Sequence, residues 1–181
     1  MDRASFVHVI QAAAAVVEDE LVVVGSQAVL AHIERPPEAM VRSAEVDVYP
    51  RSDPDRAIEI DKHIGDGSRF HETHGYFAHG VGPETITAPA GWEGRLLRFE
   101  VPPIRRKDGN AVAYCLSLPD LMLAKLAAGR PHDVEFVEEA LRSELVDADD
   151  LRRGVDLMPK AHQAHVRTRL EGLAAKLTRS E

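Results

Sequence analysis

Two carboxylates and a Gly-Ser turn carry the first chemical signal in this 181-residue chain. Glu45 and Asp47 stand one residue apart in the run AEVDVYP. In a strand, alternate side chains share a face, so the two acids project together while Val46 and Val48 project the other way. Carboxylates held side by side repel unless a cation sits between them or one takes a proton. Mg2+ is a hard ion, typically bound by one or two carboxylates plus substrate phosphates. Gly25-Ser26 supplies the complementary half. Glycine lets the backbone approach a ligand closely, and the N–H groups opening a helix favour an anion. A cation on a strand beside a phosphate on a turn is an arrangement for handling a nucleoside triphosphate. Taken singly, each feature has an ordinary reading: acids on the wet face of a sheet, and a serine capping a helix.

The elements that must position these groups follow from pattern. The apolar run from Leu21 to Val24 reads as a strand, Gln27 to Glu34 as a helix, and Arg35-Pro36-Pro37 as its end. Proline removes a backbone donor and disfavours helix in the residue before it. The second strand carries Glu45 and Asp47. Ahead of both, Phe6, Val9, Ile10, Ala13 and Val17 recur at spacings of three and four and predict an amphipathic helix over 3–19.

With these elements in order, GSQAVLAH followed by RSAEVDVY resembles the signature of the nucleotidyltransferase fold of the DNA polymerase beta superfamily. Within it the chain is similar to AbiEii-like toxin nucleotidyltransferases and related bacterial proteins over about residues 18–140. The resemblance implies an α/β fold, a mixed sheet flanked by helices with a C-terminal helical region. It implies a metal-dependent transferase that moves a nucleoside monophosphate from an NTP to an RNA, protein or small-molecule hydroxyl. Glu45 stands where active members usually carry aspartate. An inactive, binding or antitoxin-like module of the same fold is therefore the alternative.

The same resemblance extends to further positions. Gly25 and Ser26 would hold the β- and γ-phosphates. Arg42 and Ser43, just before the acidic strand, would touch phosphate and orient a carboxylate; as residues they equally suit an ordinary loop. Glu100, on the predicted strand 96–101, would be a third metal ligand or a base, on a strand beside the acidic one; otherwise it pairs with Arg98 or Arg95. Lys125, in a largely apolar helix over 118–129, would contact the triphosphate, and Asp133, after the Arg130-Pro131 turn, would join the functional set. A compact ammonium charge offsets charge on departing pyrophosphate. Lys125 also suits a helix edge, with its stem on apolar neighbours, and Asp133 a helix cap. The implied cofactor is Mg2+ or Mn2+, with NTP as substrate.

The rest of the chain is less directive. Helices are expected over 54–65, 69–75 and 133–145, and beyond Asp147 and Pro159. A strand pair is expected within 76–101, with 84–88 a continuation or separate strand. A strand is also expected over 111–116, after a charged turn holding Arg105, Arg106 and Lys107. His63, His71, His74 and His79 raise the question of a metal. H-E-T-H is not the zinc pattern H-E-x-x-H, and no cysteine accompanies it.

Net charge is −8, which argues against a mainly electrostatic nucleic-acid binder but allows a local basic patch. Hydrophobic residues make up 44% and charged residues 29%, the balance of a globular chain with a core. The expected organisation is a nucleotidyltransferase-like domain over 1–145 and a helical extension over 146–181. Cys115 is the single cysteine, so no intramolecular disulfide forms. No leader pattern or membrane-length apolar run is evident, and a cytoplasmic setting is expected. Expected partners are an NTP, a tRNA or protein acceptor, a cognate antitoxin and further copies of the chain.

Overall fold

The computed structural model describes residues 1–102 and 110–179. The chain falls into two compact units, Met1–Thr85 with Leu96–Leu116, and Ile86–Arg95 with the chain from Ser117 onward. The charged turn around Arg105, Arg106 and Lys107 lies outside the described residues.

The first unit is α/β. Helix α1 (Arg3–Val17) starts where the Asp2 side chain accepts from the Ser5 N–H at 2.8 Å. This satisfies one of the donors that a helix start leaves open. Its stripe Phe6, Val9, Ile10, Ala13 and Val17 is fully buried. Each large member contributes about 1.5–3 kcal/mol by leaving water. The sheet that α1 covers has the order β3 (Phe77–Gly80), β2 (Glu45–Pro50), β1 (Leu21–Val23), β5 (Ala111–Cys115), β4 (Leu97–Val101). β2 runs antiparallel to β1 and parallel to β3, β1 parallel to β5, and β5 antiparallel to β4. This is the mixed, helix-flanked sheet expected from sequence.

Register sorts the sheet into two faces. Leu21, Val23, Val46, Val48, Ala78, Ala113 and Phe99 lie on one, and Phe6 of α1 meets Phe99 there with ring centroids 5.7 Å apart. Glu45 and Asp47 lie on the other. The first face is packed with apolar side chains, among them β-branched valines that suit a pleated surface.

Between β2 and β3 the chain forms α3 (Ala57–Ile64) and α4 (Arg69–His74). Asp61 of α3 accepts the Gly80 N–H at 2.9 Å and so ties α3 to the end of β3. Ser68 caps α4 by accepting from the His71 N–H, and Gly75 ends it at φ 74°.

Two expectations fail here. Residues 84–88 form no strand; Pro83–Thr85 is a 3-10 turn instead. Pro83 and Pro89 bracket this stretch, and proline cannot donate to a ladder. The strands on either side of it, β3 and β4, are not a pair either, but occupy opposite edges of the sheet.

The second unit is helical. α5 (Leu118–Ala128) buries Leu121, Met122, Leu123 and Leu126, and packs on α6 (Pro131–Arg142), α7 (Ala148–Val155) and α8 (Lys160–Leu177). Ser117 caps α5 by accepting the Asp120 N–H, as the S-x-x-D pattern predicts. Asp120 in turn receives Arg95 through two hydrogen bonds of 2.8 and 2.9 Å, which fastens Ile86–Arg95 to this unit. Arg169 of α8 donates to the Leu126 carbonyl at 2.5 Å, supplying a cation at the α5 C-terminus. No helix among the described residues is long and apolar enough to cross a membrane.

Candidate active site

Glu45 and Asp47 do share one face of β2, as their spacing requires. The strand beside them is β3, and its register sets His79 directly opposite Asp47. His79 Nδ1 lies 3.1 Å from Asp47 Oδ1. One ligand atom each from Glu45, Asp47 and His79 falls within 4.8 Å of the others. The Asp47 side chain is 26% exposed and that of His79 52%, so the group is open to a ligand.

Gly25 borders the cluster. A β-carbon there would sit 2.7 Å from Asp47 Cγ and 2.8 Å from its Cβ, well inside van der Waals contact. Only glycine lets the turn lie against this carboxylate. The contact follows from the β1–β2 pairing, which carries on past β1 with the Val24 N–H donating to the Asp47 carbonyl at 3.1 Å.

The helix after the turn is shorter than expected. Ser26–Ala28 is a 3-10 turn and Val29–His32 a single α-turn, α2. A macrodipole grows from aligned peptide units, so a helix this short adds little field. Any hold on phosphate falls to the turn itself and the Ser26 hydroxyl. Gln27 behind it is fully buried, with Nε2 3.5 Å from Ser26 Oγ. Its Oε1 meets no hydrogen-bond donor among the described residues.

Of the flanking pair, Ser43 Oγ accepts the Glu45 N–H at 3.1 Å and so fixes the start of β2. Arg42 is exposed on the approach to it.

Glu100 requires a correction. It was expected on a strand beside the acidic one, but β1 and β5 separate β4 from β2. Three strand spacings place it roughly 14 Å across the sheet from the Asp47 strand. Its carboxylate is taken by Asn110 at 2.6 Å and Arg98 at 2.5 Å. Those hydrogen bonds hold it below the usual carboxylate range. Pairing with Arg98, the plainer expectation, is what is found. The position beside Asp47 on the neighbouring strand belongs to His79, one of the four histidines that raise the question of a metal. The only available signal was that F-A-H-G could be a strand; its register on β2 is not local information.

Lys125 and Asp133 come together in the second unit. Lys125 Nζ donates to Asp133 Oδ1 at 2.7 Å, and Arg130 Nε to Oδ2 at 2.7 Å. The Asp133 side chain is 0% exposed and that of Lys125 14%. Burial alone pushes the Asp133 carboxyl up. The hydrogen bonds and charges of Arg130 and Lys125 outweigh it and hold the group below its ordinary value. Asp133 sits in the first turn of α6 rather than at its cap, which is Arg130.

A family model described as a nucleotidyltransferase of unknown function (DUF6036) matches residues 4–173. The chain belongs to this nucleotidyltransferase family. No curated protein and no solved structure matches it at comparable stringency. For a nucleotidyltransferase, the place to ask for a divalent ion is the cluster on β2 and β3. The donor set fits one: two carboxylates and an imidazole on one open face, with a glycine where a side chain would crowd Asp47.

Proposed function

We propose that the chain transfers a nucleoside monophosphate from an NTP to an acceptor hydroxyl, with Mg2+ or Mn2+ held by Glu45 and Asp47. The observation that carries this reading is the close approach of Gly25 to Asp47, which sets the Gly25-Ser26 turn beside the two acids. Glu45 and Asp47 would hold the divalent ion, which would supply positive charge against the charge that develops on the transferring phosphate. Ser26 and its turn would hold the terminal phosphates, and exposed Arg42 would meet the triphosphate charge. The acceptor oxygen bonds to the α-phosphorus, and the bond from that phosphorus to the bridging oxygen breaks. Pyrophosphate leaves with the electron pair, and a carboxylate of the site takes the acceptor proton. The likeness to AbiEii-like toxins points to an RNA or protein hydroxyl as acceptor and to an antitoxin as partner.

A second reading, an NTP-binding module without turnover, is favoured by one observation. The strand beside β2 offers an imidazole, not a third carboxylate, so the charge available to a second cation is reduced. One experiment addresses both. Melting is followed with each of the four NTPs and Mg2+ or Mn2+, for the wild type and Asp47→Ala. At a ligand concentration about 100 times Kd, binding adds about 2.7 kcal/mol. For a domain of this size that is a rise of several degrees. The shift should need the metal and vanish in Asp47→Ala. Transfer of label from an α-labelled NTP to RNA or protein then separates enzyme from module. No shift with any NTP overturns both.

A further inference from the structure

We infer that His79 is a metal ligand of this site, and that it tunes the site towards Mn2+ and similar first-row ions rather than Mg2+. The inference rests on the nucleotidyltransferase reading and goes beyond it by assigning a residue and a metal preference.

The argument starts from register. β3 is parallel to β2 with His79 opposite Asp47, so the imidazole rises from the same face as both acids. Its ring nitrogen is already 3.1 Å from an Asp47 oxygen, and the three donor atoms lie close enough to converge on one ion. Position is held from behind. Gly80, the next residue, donates to Asp61 Oδ1, and α3 packs so tightly there that a β-carbon on Gly80 would fall 2.8 Å from the Ala57 carbonyl carbon. The end of β3 therefore cannot slide along β2 without losing that contact.

Ligand chemistry supplies the preference. Mg2+ is small, binds oxygen and gives up water reluctantly. Imidazole adds little for it. Mn2+, Fe2+ and Co2+ accept both carboxylate and imidazole, and their affinity for nitrogen ligands rises along the series. A site of two carboxylates and one imidazole discriminates against Mg2+ more than a site of three carboxylates. The imidazole hydrogen-bonds to Asp47, which orients its ring towards the two acids. The rival account is that His79 only orients Asp47 through that bond and never touches the ion.

The test uses the full chain and Mn2+ alone, with no nucleotide. Mn2+ is titrated by electron paramagnetic resonance into the wild type, His79→Asp and Asp47→Asn, and the bound ion is examined by pulsed resonance for coupling to nitrogen. Competition with Mg2+ gives the preference. The wild type should show nitrogen coupling from one imidazole, and His79→Asp should lose it while still binding Mn2+. The preference for Mn2+ over Mg2+ should narrow about tenfold in His79→Asp, the scale on which single metal-site partners act. Bound Mn2+ without nitrogen coupling, with the same preference in both chains, would overturn the inference and leave the metal site standing. Failure of the wild type to bind Mn2+, or binding indifferent to Asp47→Asn, would overturn the inference and the nucleotidyltransferase site together. The His79 side chain is half exposed, so the fold should tolerate His79→Asp, and the nitrogen coupling is read on the unaltered chain.

Discussion

Gly25 lies against Asp47 so closely that a β-carbon would overlap the aspartate side chain down to its own Cβ. A terminal oxygen could swing away, but a Cβ moves only with its strand. Gly25→Ala is therefore expected to shift the turn or β2, at a cost of about 1–3 kcal/mol, the usual range for overpacking. Mn2+ affinity should fall with it. Gly172 of α8 meets nothing within 4 Å of an added β-carbon, so Gly172→Ala is the control. It should stabilise by up to about 1 kcal/mol through helix propensity. Urea denaturation of both variants checks this. Equal stability of Gly25→Ala and the wild type would show that the turn has room the structure denies.

Asp133 is the buried hub of Lys125 and Arg130. Removing its charge strands a largely buried ammonium, so Asp133→Asn should cost about 3–5 kcal/mol near neutral pH. The folded-state pKa of Asp133 is lowered, so its stabilisation is present above the unfolded value, near 3.9, and is lost as pH falls through the folded value. The gap between wild type and Asp133→Asn should accordingly shrink in acid. Denaturation curves at pH 7 and pH 3 measure it. A loss under about 1 kcal/mol at pH 7 would mean that Lys125 finds water or another partner.

His32 contributes with the same sense in a higher pH range. Burial pushes its pKa down, and the hydrogen bond to the Leu116 carbonyl at 2.7 Å pulls only partly the other way. The unfolded chain then takes up the proton first, near pH 6.5. Stability is full above that pH and falls as pH drops below it, until the folded value is passed. His8, lowered by burial and then by His74, adds to the same slope. His32→Gln keeps a donor for Leu116 and removes the titration. It should lose less stability than the wild type between pH 7.5 and 5.5, as read by melting. Parallel curves for the two chains would place the proton uptake elsewhere.

Cys115 ends β5 with no exposed surface, and burial pushes its thiol pKa up to about 12. Thiolate is the reactive form, so the folded protein should resist thiol reagents at pH 8. Labelling should proceed only at the rate at which β5 opens, and quickly in urea. Rapid labelling of the native chain would show that the β1–β5–β4 side of the sheet opens locally.

Much of this protein is written in local pattern. The 3.6-residue stripe of α1, the S-x-x-D start of α5 and the period-2 alternation of β2 each needed only neighbours in sequence, and each is found. So is the placing of Glu45 and Asp47 on one face, because strand geometry makes it unavoidable. The nucleotidyltransferase character read from GSQAVLAH and RSAEVDVY agrees with the family that the chain matches over 4–173; the AbiEii-like part of the resemblance is not among what that match shows.

What local pattern does not contain is which strand lies beside which. Strand order is set by long-range pairing, and an apolar run such as Leu97–Val101 suits either neighbour of β2 equally well. The tertiary structure sends β4 with Glu100 to the far edge and brings β3 with His79 to Asp47. It also joins Lys125 to Asp133 across the turn between two helices, an ion pair whose partners are eight residues apart and on different elements. Sequence alone determined the acids, the glycine turn and the elements that carry them. Only the fold decided the third group of the cluster, because a contact between strands costs and gains nothing until both are folded against the same core.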